Sequence, residues 1–152
     1  MIEHIVTFEI ETELPPEFSE DQARSLIFSV LAAEEVDEPW LVGIQIVDDE
    51  TMRTAHVEFM DIDEPTDIMT FPYADEEDDL WGDSEVGGDL MISVDRAAEN
   101  AIEAGWSTID EMHFLIVHGL LHLLGWDDHT PEDRASMLTH QRELIDQWSQ
   151  EA

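Results

Sequence analysis

Two histidines, four residues apart in a strongly apolar segment, have the spacing that metal ligands take on a helix. Four residues turn a helix by about 400°, so the imidazoles of His118 and His122 leave one face about 6 Å apart along the axis. Gly125 permits a left-handed turn that sends the chain back toward that face, and His129 follows it. The pattern predicts one zinc ion held by His118, His122 and His129, with a fourth position left for water, as in catalytic zinc sites.

Histidines among leucines can instead be core residues that hydrogen-bond to backbone carbonyls. The third histidine beyond a helix-ending glycine favours the metal, because neutral imidazoles buried side by side share no better partner than a cation. Zinc lowers the pKa of a bound water toward neutrality and makes it a nucleophile. Gly119 stands where zinc proteases carry a glutamate general base, which argues against ordinary peptidase chemistry.

The elements that position these histidines can be assigned from periodicity, caps and glycines. Ser19 and Thr108 are the expected caps of two helices, because Gln22 and Glu111 follow them three residues later. The expected strands cover residues 2–11, 40–47, 67–71 and 89–93, and the expected helices cover residues 20–33, 49–59, 95–104, 108–124 and 131 onward. This order predicts an α+β fold, with about four strands in a small mixed sheet, about five helices packed around it, and the metal site at the end of a central helix. We expect a single domain over residues 1–152.

Charge and composition exclude several classes of protein. The 152 residues include 39 acidic and five basic ones, all arginine, and no cysteine, for a net charge of −34. The chain therefore lacks the basic surface of a nucleic-acid-coating protein or of one that binds anionic membranes, and it has no thiolate site. It has no apolar run long enough for a membrane span and no leader pattern, so we expect a cytoplasmic address.

Three motifs, in order along the chain, are similar to those of one enzyme family. Residues 118–129 read HGLLHLLGWDDH, residues 63–72 read DEPTDIMTFP, and residues 88–93 read GDLMIS. Over about residues 40–146 the chain resembles the YbeY endoribonucleases. The resemblance implies an α+β fold and a metal-dependent endoribonuclease that cuts single-stranded RNA, with one zinc ion held by His118, His122 and the third histidine of the motif.

The resemblance also implies a cellular role. That role is maturation of the 3′ end of the small-subunit (16S) rRNA, together with ribosome quality control. The implied partners are single-stranded RNA and the ribosomal small subunit or its basic proteins, and neither DNA nor a membrane is expected.

The first departure from the family pattern concerns the third ligand. The family places its third histidine where this chain has Asp128, and His129 follows one residue later. A bulge in the loop can absorb one residue, so we favour His129 as the ligand. Asp128 remains the alternative ligand, since carboxylates also bind zinc, or a catalytic group that orients or deprotonates water.

The second departure concerns a residue suited to bind phosphate. The family carries arginine three residues before the DxPTD motif, where this chain has Met60, and His56 replaces an asparagine. Arg53 reads as a solvated helix residue. Met60 and the charge of −34 motivate a second hypothesis, a zinc-binding ribosome-assembly protein with weak or no catalysis. A zinc hydrolase of small or peptide substrates is a third hypothesis.

The charge also predicts how salt should act. Added salt screens repulsion between an anionic protein and RNA, so the activity of a nuclease this acidic should first rise with salt. A charge this extreme suggests either a concentrated-salt cytoplasm or deliberate engineering. The acidic run at residues 75–79 lacks the spacing of a calcium loop and is expected to be a solvated loop.

Overall fold

The computed structural model of this chain describes residues 3–64, 66–73 and 86–151. The strands in these ranges are β1 (Ile5–Ile10), β2 (Leu41–Val47), β3 (Ile68–Pro72) and β4 (Gly87–Ser93). The helices there are α1 (Glu20–Ala33), α2 (Asp49–Met60), α3 (Val94–Ala104), α4 (Thr108–Leu123) and α5 (Pro131–Glu151). The α+β class, the four-stranded sheet and the five helices are confirmed, whereas the acidic run at residues 75–79 lies outside the described residues.

The sheet is mixed and has the strand order β1-β2-β4-β3. Strands β1 and β4 run parallel to β2, and β3 runs antiparallel to β4. Strand β4 begins at Gly87, two residues before the predicted start, because Gly87 and Gly88 pair with Leu41 and Val42. The apolar pattern missed these two residues, since glycine has no side chain with which to show that it belongs to a strand.

Side chains that alternate along the strands divide the apolar residues between two faces of the sheet. On one face the larger core joins the sheet to α1, α3, α4 and α5, with these strand residues at its centre: Ile44, Ile46, Leu90 and Ile92. On the other face α2 packs into a smaller core: Val47, Met52, Ala55, Met69 and Met91. None of the helices within the described ranges is long and apolar enough to cross a membrane.

Side-chain caps decide where the helices begin. Ser19 accepts a hydrogen bond from the backbone N–H of Gln22 at 3.2 Å, as the capping pattern predicts for α1. Helix α4 is capped by Ser107, whose hydroxyl accepts from the N–H of Asp110 at 3.1 Å. The prediction of Thr108 as that cap is wrong by one residue, because Thr108 is already helical and Ser107 has the extended backbone that a cap requires.

Helix α4 lies unusually close to the sheet at one position. A Cβ on Gly119 would stand 2.7 Å from Leu90 Cδ2 and 2.9 Å from Ile68 Cδ1, closer than such atoms pack. A side chain at this position would therefore have to displace the terminal methyl groups of Leu90 and Ile68. Glycine sets the depth at which the histidine-bearing helix rests on β3 and β4.

Helix α2 is tied to the junction of β4 and α3. Asp49 accepts a hydrogen bond from the Ser93 hydroxyl at 2.7 Å and forms an ion pair with Arg96 at 3.1 Å. Asp48 caps the same helix by accepting from the N–H of Thr51 at 2.8 Å. These contacts hold the start of α2, and so they place the residues at its far end over the outer strand β3.

Candidate metal centre

The two histidines of α4 face each other near the end of the helix. Their Nε2 atoms lie 3.0 Å apart, and their ring centroids lie 4.5 Å apart with the ring planes at 81°. Gly125 has a φ of 101° and turns the chain just after the helix. The structure therefore brings His118 and His122 together, as their spacing predicts.

The third group beside this pair is a carboxylate. Oδ2 of Asp128 lies 3.5 Å from Nε2 of His122 and 3.7 Å from Nε2 of His118. A tetrahedral zinc ion with bonds of about 2.0–2.2 Å holds its ligand atoms about 3.3 Å from one another. Two imidazole nitrogens and one carboxylate oxygen at these separations fit a single zinc ion in both spacing and chemistry.

His129 lines the same cavity but belongs to a second group of possible ligands, with Asp127 and Asp128. Its side chain is 87% exposed, and its Nε2 lies 3.6 Å from Oδ1 of Asp127. Its backbone N–H donates to that same oxygen at 2.7 Å, which closes a tight turn. Of the two residues that the sequence leaves as the third ligand, the structure places Asp128, not His129, against both histidines.

Hydrogen bonds at the Nδ1 atoms orient both rings. Nδ1 of His122 lies 3.1 Å from the carbonyl oxygen of Trp126, and because a carbonyl only accepts, that nitrogen carries the proton. Nδ1 of His118 likewise donates to Oε1 of Gln141 at 3.0 Å, since the amide nitrogen of Gln141 is turned toward the carbonyl of Phe114 at 3.4 Å. Both Nε2 atoms then present lone pairs to each other, an arrangement that a cation between them stabilises.

Gln141 is the site residue that sequence reasoning missed. It is fully buried in α5, on the same face as Met137 and Leu144, and its two hydrogen bonds offset the cost of burying an amide. The available signal was a lone amide within the apolar stripe of a helix. Its meaning depends on the packing of α5 against α4, which no local pattern contains.

A cavity of about 750 Å³ opens beside these groups. His118, His122 and His129 line it from α4 and the following loop. Its other walls come from the end of α2, the segment before β3, and β3 itself, and they include these side chains: His56, Phe59, Met60, Thr66, Asp67 and Phe71. Thr66 and Asp67 of the DxPTD motif thus line the same cavity as the histidines, although some 50 positions separate the two motifs in the sequence.

None of the five arginines, all of which the structure describes, lines this cavity. Arg53 is exposed and donates from Nε to Oδ1 of Asp63 at 2.7 Å. The ion pair lowers the pKa of Asp63, so its carboxylate stays charged and neutralises the one arginine of α2. The cavity therefore offers no guanidinium to a phosphate.

A buried carboxyl group lies on α4 behind the cavity. Glu111 accepts a hydrogen bond from the indole N–H of Trp106 at 2.8 Å. Burial raises the pKa of Glu111 and the charge of Asp67 adds to the effect, whereas the hydrogen bonds from Trp106 and Asn100 oppose it. Asn100 also donates to Asp67 at 3.2 Å, so a polar network connects α3 and α4 to a residue of the cavity wall.

A mixed sheet of four strands, with a His-His-Asp group at the end of a central helix and a cavity beside it, defines a small α+β protein with a candidate single-metal centre. The family model described as Endoribonuclease YbeY matches residues 6–149. The chain belongs to the YbeY family.

Individual relatives agree with this assignment. A protein named Endoribonuclease YbeY from Rhodococcus erythropolis is 35% identical over 148 residues, which cover 94% of this chain and 82% of that protein. Its namesake from Enterococcus faecalis is 34% identical over 151 residues, or 93% of this chain and 95% of that protein. Another from Corynebacterium jeikeium is 43% identical over 114 residues, or 70% of this chain and 62% of that protein.

A solved structure shows the same fold. The solution structure of TM1509 from Thermotoga maritima superposes with a TM-score of 0.65. The match covers 95% of this chain and 90% of that chain at 22% sequence identity. The fold read from periodicity is therefore the fold of a known protein.

Proposed function

We propose that this protein is a zinc-dependent endoribonuclease that cuts unpaired RNA and acts in maturation of the 3′ end of 16S rRNA and in ribosome quality control. The observation that carries the proposal is the group of three donor atoms, 3.0–3.7 Å apart, at the cavity of a chain whose relatives are named endoribonucleases. The cytoplasm is the compartment that this role requires. The small subunit, or basic proteins on it, is the partner that complements a charge of −34.

In this proposal His118 and His122 hold the ion through Nε2, and Asp128 is the third ligand. When bound, zinc supplies Lewis acidity toward a phosphoryl oxygen and lowers the pKa of a water molecule. The chain orients the donors through Gln141 and the Trp126 carbonyl. If His129 were to complete the ligand set instead, Asp128 would remain beside the histidines as a proton acceptor.

The role of the metal is tested by removing one histidine. His122→Ala should lose stoichiometric zinc, measured by elemental analysis, and should lose cleavage of an unpaired RNA oligomer. The matched control is His4→Ala, which removes a histidine next to β1, outside the residues that line the cavity. A purified wild-type protein without zinc, together with unchanged cleavage by His122→Ala, would contradict the proposal.

The third ligand is tested by a pair of neighbouring variants. Asp128→Asn should weaken zinc binding at least tenfold in competition with a chromogenic chelator, because an amide is a poor substitute for a carboxylate ligand. His129→Asn should leave the affinity nearly unchanged, since the imidazole of His129 points largely into solvent. The reverse pattern would assign the ligand role to His129.

The lack of a cavity-lining arginine favours one competing function, a zinc-binding ribosome-assembly protein that does not cut RNA. A cleavage assay across a salt series separates the two functions. A nuclease this acidic should be slowest in dilute buffer and faster as salt first screens its repulsion from RNA. Retained zinc with no cleavage at any salt concentration would support the function of a ribosome-assembly protein.

A further inference from the structure

The end of α2 exposes an unusual amount of apolar surface beside the metal centre. Of the nine large apolar side chains that stand exposed in the described residues, four fall within six positions: Val57, Phe59, Met60 and Ile62. Phe59 and Met60, which are 61% and 57% exposed, also line the cavity. Clustered apolar exposure on a surface that is otherwise strongly acidic marks a contact site.

Two aromatic rings are organised within this surface. Phe59 and Phe71 meet edge to face, with centroids 5.2 Å apart and planes at 66°, and both line the cavity that contains His118 and His122. Phe71 is held by the smaller core of the sheet, so it fixes the position of the more exposed ring. The pair is therefore a supported aromatic surface at a cavity wall, and most of the Phe59 side chain is open to solvent.

The charge of the site limits the kinds of contact through which a ligand can bind there. The cavity has no arginine, and Arg53 is neutralised by Asp63 at 2.7 Å. On a chain of charge −34, phosphate contacts supply little affinity. Stacking of a base on an aromatic ring does not depend on charge, and every base has a face that can stack.

We infer that Phe59, supported by Phe71, is a stacking platform for one unpaired base of the RNA substrate. The inference rests on the proposed function, because it identifies the occupant of the cavity as RNA that continues from the metal centre. Bases in a duplex are already stacked on their neighbours, so the platform selects unpaired RNA without reading its sequence. Where the family has an arginine to bind phosphate, this chain has none, and stacking of the base on Phe59 supplies the binding energy instead.

The experiment measures equilibrium binding of the full chain in the presence of a metal chelator, so that no cleavage intervenes. The probes are a fluorescent uridine octamer and an abasic ribose–phosphate octamer with the same number of phosphates. Phe59→Ala should weaken binding of the uridine octamer about 5- to 100-fold and leave abasic binding unchanged. Phe59→Leu should be as weak as Phe59→Ala, and Phe59→Trp should restore binding.

Salt gives an independent readout. Loss of stacking removes no phosphate contact, so the slope of log affinity against log salt should be equal in wild type and Phe59→Ala. The control is Phe28→Ala, which removes another exposed phenylalanine (38% exposed, against 61% for Phe59) from α1, outside the cavity. Phe59 is mostly exposed, and thermal unfolding should confirm that its variants stay folded.

Three results would overturn the inference: wild-type affinity in Phe59→Ala, wild-type affinity in Phe59→Leu, or equal binding of both octamers by the wild type. Loss of binding to a small-subunit protein in Phe59→Ala, with RNA binding intact, would assign the surface to a protein partner instead. Failure of this inference can be distinguished from failure of the proposed function. A zinc-loaded protein that cuts no RNA but binds it through Phe59 would keep the platform and refute the nuclease.

Discussion

The Nδ1 side of His118 is oriented by the buried amide of Gln141, whose oxygen lies 3.0 Å from that nitrogen. Gln141→Leu removes this hydrogen-bond acceptor with little change in side-chain volume. We expect zinc affinity to fall about 10- to 100-fold, as it does when the hydrogen-bond partner of a metal-binding histidine is lost, measured by chelator competition. Gln147→Leu, an exposed glutamine on the same helix, is the control, and equal affinities for the two variants would contradict the role of Gln141.

His113 is a buried histidine whose Nε2 has no hydrogen-bond partner among the described residues, and its ring stands edge-on to Trp148. Burial lowers the pKa of His113, and the charge of Asp110 opposes the effect. The unfolded chain therefore binds a proton at this position more readily than the folded one. This contribution to stability is complete above the unfolded pKa, about 6.5, and is lost as the pH falls below it.

His113→Phe should flatten the corresponding part of the pH profile. The free energy of unfolding by urea should fall between pH 7 and pH 5.5 in the wild type, and it should fall less in the variant. A chelator in all samples keeps pH-dependent zinc binding out of the measurement, and all other titratable groups are common to the two proteins. Parallel profiles for the two proteins would mean that His113 is not the group responsible.

At the scale of elements, the contact of α4 with the sheet is the one that the site depends on most. Gly119→Ala should destabilise the fold by about 1–3 kcal/mol, because its Cβ would meet Leu90 and Ile68. Helix propensity alone predicts the opposite sign, a gain of about 1 kcal/mol for alanine over glycine. Denaturant unfolding decides between them, and a stabilised variant would show that the helix moves away at no cost.

At the scale of the whole molecule, a charge of −34 on 152 residues dominates. The screening length falls from about 10 Å at 0.1 M salt to about 3 Å at 1 M, which weakens the self-repulsion of the compact state. We expect the urea midpoint to rise over this range of potassium chloride and then to level off. A midpoint that is constant or that falls with salt would show that the acidic side chains do not strain the fold.

The order of strands and helices, and the approach of His118 to His122, could be predicted because each follows from positions close in sequence. Periodicity and caps act within one or two helical turns, so errors were small: a cap displaced from Ser107 to Thr108, and a strand that begins at Gly87. The sequence could not decide between Asp128 and His129 as the third ligand, because the two are adjacent residues in one loop. That choice depends on the turn that Asp127 closes.

The amino-acid sequence by itself determined the α+β architecture, the histidine pair and the extreme charge, since all three are properties of local pattern or of composition. Only the tertiary structure decided that Asp128 lies beside the two histidines and that Gln141 of α5 hydrogen-bonds to His118. It also decided that Phe59 and Phe71 line the same cavity as the histidine pair. These contacts join residues of different elements. They exist because the chain must bury its apolar faces together, and the resulting distances depend on packing that no local pattern contains.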